Sequence, residues 1–138
     1  MRVALGQMNA TIGDFSGNGR KIEALWRDAE AAKADLLLVP EMALCGYPPR
    51  DLLDRPAFHA EAARLLAELT RRSGRTALLA GTFLPNRART GKPLFNAAVL
   101  MRNGRASAVA RKCLLPAYDV FDEARHFEPA KDPTIVRL

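Results

Sequence analysis

The sequence predicts an α/β fold, a mixed β-sheet carrying two main helices. Three observations support it. Runs of strand character recur at residues 2–9, 36–39 and 76–84, and stretches with apolar residues at helical spacing separate them. Strand, helix and strand in that order are the pattern of parallel βαβ units. Further on, Asn103-Gly104 stands between two strand-like runs, 96–102 and 105–111. Both residues tolerate the positive φ of a type I′ turn, so the pair is a strong hairpin signal.

Residues 2–9 alternate, with Val3 and Leu5 on one face, and form the first expected strand. A turn-rich loop follows, in which Ser16 or Asn18 can cap a helix bearing Ile22, Leu25, Trp26 and Ala29. That helix is expected to end near Ala34. Residues 36–39 are four apolar residues in a row, the pattern of a strand buried on both faces. Pro40 ends it, having no N–H for the ladder. Gly46, Pro48 and Pro49 interrupt the chain too often for helix or sheet, and suit a fixed loop lining a pocket. Asp54 and Pro56 open a second helix with the stripe Phe58, Ala62, Leu65, Leu66 and Leu69, and Gly74 follows its last turn. Residues 76–84 form a third buried strand, and 85–93 a polar loop expected to be exposed and mobile. Residues 112–133 carry no clean period, and 134–138 are expected to begin another strand.

Composition narrows the function classes. With 138 residues, 49% hydrophobic and 26% charged, the chain has the make-up of an ordinary soluble domain. No apolar run is long enough to span a bilayer, and residues 1–9 lack the core of a secretory signal. Two cysteines make no disulfide framework, so a reduced, cytoplasmic setting is expected. The formal charge is +6, but the basic residues are interleaved with acids and not with aromatics, which argues against nucleic acid. The cluster Arg71, Arg72 and Arg75 complements the dipole at a helix end. Two helices cover one face of a sheet, and a parallel or mixed sheet needs both faces covered. The chain is therefore expected to be part of a larger domain, and its uncovered face to self-associate as a homo-oligomer or bind a partner.

Two residues carry the chemistry. Glu41 follows Pro40 at the carboxyl end of a buried strand, where ligands collect in open α/β sheets. Lys112 closes the second strand of the hairpin. A carboxylate and an ammonium of this kind support a thiol nucleophile in amide cleavage. The carboxylate takes the proton from the attacking group, and the ammonium stabilises the charge developing on the carbonyl oxygen. Each residue alone is more often a solvated surface charge.

Three long stretches, ALGQMNATIGDFSGNGRKI, VPEMALCGYPPRDLL and RKCLLPAYDVFDEARHF, together resemble the nitrilase, or carbon–nitrogen hydrolase, superfamily. Within it they are most similar to the amino-terminal glutaminase domain of glutamine-dependent NAD synthetases. The resemblance implies a nitrilase-like α-β-β-α sandwich, of which residues 1–138 are the first half only. It implies Glu41 as general base, Lys112 as the oxyanion-stabilising lysine, Glu123 as the carboxylate orienting that lysine, and Tyr118 as a residue holding glutamine. The duller readings are that Tyr118 packs and that Glu123 pairs with Arg125 or Lys131. The family's nucleophilic cysteine lies on a later strand, after the last residue of this sequence. Cys113, next to the lysine, points to the opposite face, and Cys45 sits in the glutamate loop, so both are read as incidental. Ala117, Asp119 and His126 depart from the family's usual Asn, Gly and Tyr. No cofactor or metal is expected in this segment. ATP and Mg2+ belong to the synthetase domain, which amidates nicotinic acid adenine dinucleotide, and no glycine-rich phosphate loop occurs here. The alternatives are a stand-alone amidase or nitrilase, and a non-catalytic half-fold that binds or assembles. If the catalytic reading holds, Glu41 and Lys112 must end neighbouring strands at one edge of the sheet, with Tyr118 lining the same hollow.

Overall fold

The computed structural model describes residues 1–136. In chain order it forms β1 (Val3–Leu5), α1 (Phe15–Ala31), β2 (Leu36–Leu38), a short 3-10 helix (Arg50–Asp54), α2 (Pro56–Arg72), β3 (Ala77–Pro85), β4 (Leu94–Arg102), β5 (Arg105–Arg111) and α3 (Glu123–His126). The strands make one mixed sheet in the order β1-β2-β3-β4-β5. The first three are parallel, and β3, β4 and β5 are antiparallel in succession. The carboxyl ends of β2, β3 and β5 therefore share one end of the sheet with the start of β4.

Register places Leu37 beside Leu78, and Leu78 beside Met101. That row is fully buried under Ile22 and Trp26 of α1 and Leu65 and Leu69 of α2. The indole of Trp26 also donates to the Thr76 carbonyl at 3.0 Å, so its one polar atom is satisfied inside the core. On the sheet's other face Val3, Leu5 and Leu38 are exposed. Val3 and Leu5 do lie on one face, but Ala4 is the residue of β1 that packs against the core. For the same reason Leu38 is not buried on both sides, because both helices cover the same face.

Some boundaries differ from the sequence expectation. Asp14 caps α1, accepting from the Gly17 N–H at 2.8 Å, in place of Ser16 or Asn18. Its side chain reaches the first-turn amides, whereas Asn18 is turned inward to other partners. The helix stops at Ala31, three residues early, because Lys33 takes a left-handed φ of 55°. The hairpin turn is as expected, with φ of 50° at Asn103 and 73° at Gly104. The 85–93 loop is exposed but anchored, since the Lys92 N–H donates to Glu128 at 2.7 Å. Residues 134–136 form no strand, and 137–138, where the expected strand would continue, lie outside the described residues.

Candidate active site

Glu41 is placed by a turn that begins as β2 ends. Gly46 donates to the Met42 carbonyl at 2.7 Å, and Met42 has a left-handed φ of 51°. Met42, Ala43, Leu44 and Cys45 are fully buried, so the turn hangs on the core by its own apolar side chains. Asn18, also fully buried, ties it to the loop before α1. Its amide accepts from Thr11 N–H at 2.8 Å and donates to the carbonyls of Thr11 and Leu44 at 2.8 and 3.2 Å. Gly81 on β3 lets the turn cross the sheet. A methyl group there would lie 2.6 Å from the Glu41 Cα and 2.7 Å from the Pro40 carbonyl oxygen. The chain beyond Pro40 thus lies over β3.

That crossing answers a difficulty of topology. β2 and β5 are not neighbours, contrary to the sequence expectation, because β3 and β4 stand between them. At about 4.8 Å per strand, Glu41 and Lys112 would be too far apart if each simply ended its own strand. With Glu41 carried over β3, the two long side chains span what remains. Lys112 follows β5, and its N–H continues the ladder to the Asn96 carbonyl of β4 at 2.8 Å. Its Nζ donates to Glu41 Oε1 at 2.8 Å and to Glu123 Oε1 at 2.9 Å.

Glu123 opens α3 and is buried, whereas Glu41 is 44% exposed at its side chain. The Tyr47 hydroxyl donates to Glu123 Oε1 at 2.7 Å. The Asn96 amide donates to Glu41 Oε1 and, at 3.4 Å, to Glu123 Oε2. Burial by itself would lower the Lys112 pKa, but hydrogen bonds and charge from Glu41 and Glu123 outweigh it and hold the ammonium above its ordinary value. Burial, and then the Glu123 carboxylate, push the Tyr47 hydroxyl well above the usual phenol range. Two carboxylates thus grip one ammonium, and a neutral phenol donates into the same cluster.

Glu41, Lys112 and Glu123 are brought together, and Glu123 pairs with Lys112, not with Arg125 or Lys131. Tyr118 is not drawn in. The residue is 69% exposed, and its ring packs edge-on against Phe121 at 5.5 Å. Cys113 is half-buried, its thiol directed to the Arg111 carbonyl at 3.8 Å. Cys45 is fully buried, and burial pushes its thiol up to about 12, leaving it protonated and inert at neutral pH. Tyr47 and Asn96 were not singled out from the sequence. Asn96 carries a signal, as the one polar residue of its strand before the terminal Arg102, where burial demands a partner. A cavity of about 390 Å³ lies between the Tyr47–Pro48 bend and the segment from Asp119 to Phe127, and Glu123 forms part of its wall. Asp51 and His126 belong to that wall, and with Asp54 beside them they bring their ligand atoms within 4.8 Å of one another. Arg125 already neutralises Asp51 at 3.3 Å, and His126 lies 3.4 Å from Asp54.

Known proteins share this chain's sequence and fold. The chain is 46% identical to the glutamine-dependent NAD(+) synthetase of Synechocystis sp. over 132 residues, 93% of this chain and 24% of that relative. The solved glutamine-dependent NAD+ synthetase of Acinetobacter baumannii superposes with a TM-score of 0.83 at 32% identity, over 94% of this chain and 24% of that one. An amidase from Nesterenkonia sp. superposes with a TM-score of 0.75 at 27% identity, over 96% of this chain and 49% of that one. The chain thus spans about a quarter of the length of the synthetases it matches. The sequence model for carbon-nitrogen hydrolases matches residues 2–137. With nearly every residue inside that match, this chain belongs to the carbon–nitrogen hydrolase family.

Proposed function

We propose that this chain supplies the base and the oxyanion-stabilising cation of a glutaminase, and that glutamine is hydrolysed to glutamate and ammonia for the amidation of nicotinic acid adenine dinucleotide to NAD. The observation that carries the reading is the Lys112 ammonium held between Glu41 and Glu123. The nucleophile is a cysteine of the part of the domain not contained in these residues. A solved form of the Nesterenkonia amidase carries acrylamide added at its active-site cysteine, which supports thiol chemistry on this scaffold.

Glu41 takes the thiol proton as sulfur bonds to the amide carbon. Lys112 stabilises the oxyanion, and Glu41 returns the proton to the nitrogen as the C–N bond breaks and ammonia leaves. Water then attacks the thioester, giving a proton to Glu41 that returns to sulfur as glutamate departs. Glu123 keeps the lysine aligned. The exposed ring of Tyr118 is free to lie against the substrate. ATP and Mg2+ are assigned to the synthetase domain, as the family resemblance implies, and no step above runs through them. Amide hydrolysis by an independent amidase is the second reading, favoured by the Nesterenkonia likeness.

In the complete gene product, Glu41→Gln should abolish glutamine-supported NAD synthesis and spare synthesis from added ammonia, because an amide keeps the turn's shape and cannot accept the proton. Equal loss with both nitrogen donors would make Glu41 a structural residue. Glutamine-independent hydrolysis of simple amides would favour the amidase. The 138-residue chain alone should release no ammonia from glutamine. Turnover that disappears in Cys113→Ser or Cys45→Ser would reassign the nucleophile.

A further inference from the structure

We propose that Asn96 is a positioning residue that ties Glu41 and Glu123 around Lys112 and leaves Oε2 of Glu41 as the oxygen that accepts the proton. This rests on the glutaminase reading of the same site and deepens it.

Asn96 is the point where all three members meet. Its backbone carbonyl takes the Lys112 N–H at 2.8 Å, and its side-chain amide faces both carboxylates. It lies on β4, an interior strand of the sheet, and is 4% exposed. A buried amide left without partners is costly, so both Nδ2 protons are used. One goes to each carboxylate. An ionised carboxylate only accepts, so only a donor with two hydrogens on one atom can serve both from this position. Aspartate would add a third negative charge, and leucine would fill the space and donate nothing.

The consequence falls on Glu41. Its Oε1 already accepts from Lys112 and from Asn96, one donor just after β5 and the other on β4. Among the described residues none donates to its Oε2. The carboxylate is therefore pinned at one oxygen and open at the other. Lys112 cannot set this geometry by itself, since a four-carbon stem bearing a freely rotating ammonium follows its partners. Asn96 has a short side chain on a paired strand, and supplies the fixed reference.

The test is made in the complete gene product, with Asn96→Leu, Asn96→Asp and Glu41→Gln assayed together for glutamine-supported and ammonia-supported synthesis. Asn96→Leu should lower kcat for glutamine about 100-fold, as expected for a misplaced catalytic group, with KM and ammonia-supported synthesis within about threefold of the parent. Asn96→Asp should move the acid limb of the kcat–pH profile to higher pH, because a third carboxylate favours protonation of its neighbours. Unchanged kcat in Asn96→Leu, an equal loss with both nitrogen donors, or an unmoved profile in Asn96→Asp overturns the proposal. Should Asn96→Leu not fold, the near-isosteric Asn96→Asp decides through its profile. If Glu41→Gln leaves glutamine use intact, it is the glutaminase reading that fails. Independently of activity, both Asn96 side-chain amide protons should shift in the NMR spectrum of the complete gene product on Glu41→Gln. No shift there removes the contact on which the proposal stands.

Discussion

At the scale of single residues, the site depends as much on what is missing as on what is charged. Gly81 bears no functional group, yet the Glu41 turn crosses β3 only because no Cβ stands there. Alanine at this position gains about 0.4–1 kcal/mol from a stiffer unfolded chain. It must also displace backbone atoms that would lie 2.6 Å away, and no flexible side chain can yield in their place. The clash wins, and Gly81→Ala should be less stable by about 1–3 kcal/mol in urea denaturation. On the proposed glutaminase reading it should also reduce glutamine hydrolysis in the complete protein, since the carboxylate is carried off Lys112. A stability equal to the parent's would show that the turn can shift without cost.

At the scale of elements, the end of α1 shows a local rule met with an unfavourable residue. The Ala34 N–H bonds the Ala29 carbonyl and the Lys33 N–H bonds that of Glu30, both at 2.9 Å, with Lys33 left-handed between them. This is a Schellman ending, for which glycine is the preferred residue. An L side chain there costs about 1–2 kcal/mol, while glycine loosens the unfolded chain by somewhat less. Lys33 is exposed. Lys33→Gly should therefore raise stability by about 0.5–1 kcal/mol, read from the urea midpoint. A lower midpoint would mean that the lysine stem packs usefully on the helix.

At the scale of the whole molecule, three buried or paired groups shift in the same direction. Cys45 rises from 9.0 to about 12 through burial, and Tyr47 and Lys112 are also raised. In each case the folded chain holds its proton more tightly than the unfolded chain. Their contribution is fully present below the unfolded values and is lost as pH climbs through the folded ones. Stability should thus be level near neutrality and fall from about pH 9 towards 12, which urea titrations at stepped pH would measure. Cys45→Ala should be less stable at pH 7, from lost packing, yet decline less steeply over that window. An identical slope would remove Cys45 as the cause.

The sequence by itself determined the elements and the chemistry's main parts. Helical spacing placed α1 and α2, Asn103-Gly104 placed the hairpin, and Pro40 with Glu41 marked a strand end bearing a carboxylate. Such features are legible because period, turn chemistry and proline act within a few residues. Only the tertiary structure decided which face of β1 is buried, since alternation fixes two faces but not which one the helices cover. It alone decided that Asp14, and not Ser16 or Asn18, caps α1, because Asn18 has distant partners in Thr11 and Leu44. It also brought Glu41 across β3 to meet Lys112, recruited Tyr47 and Asn96, and left Tyr118 outside. Glu41 and Lys112 are 71 residues apart in the chain, and their contact depends on strand order and on one glycine. The reason is physical: a hydrogen bond between distant segments is set by the summed placement of everything between them, and no local pattern encodes that sum.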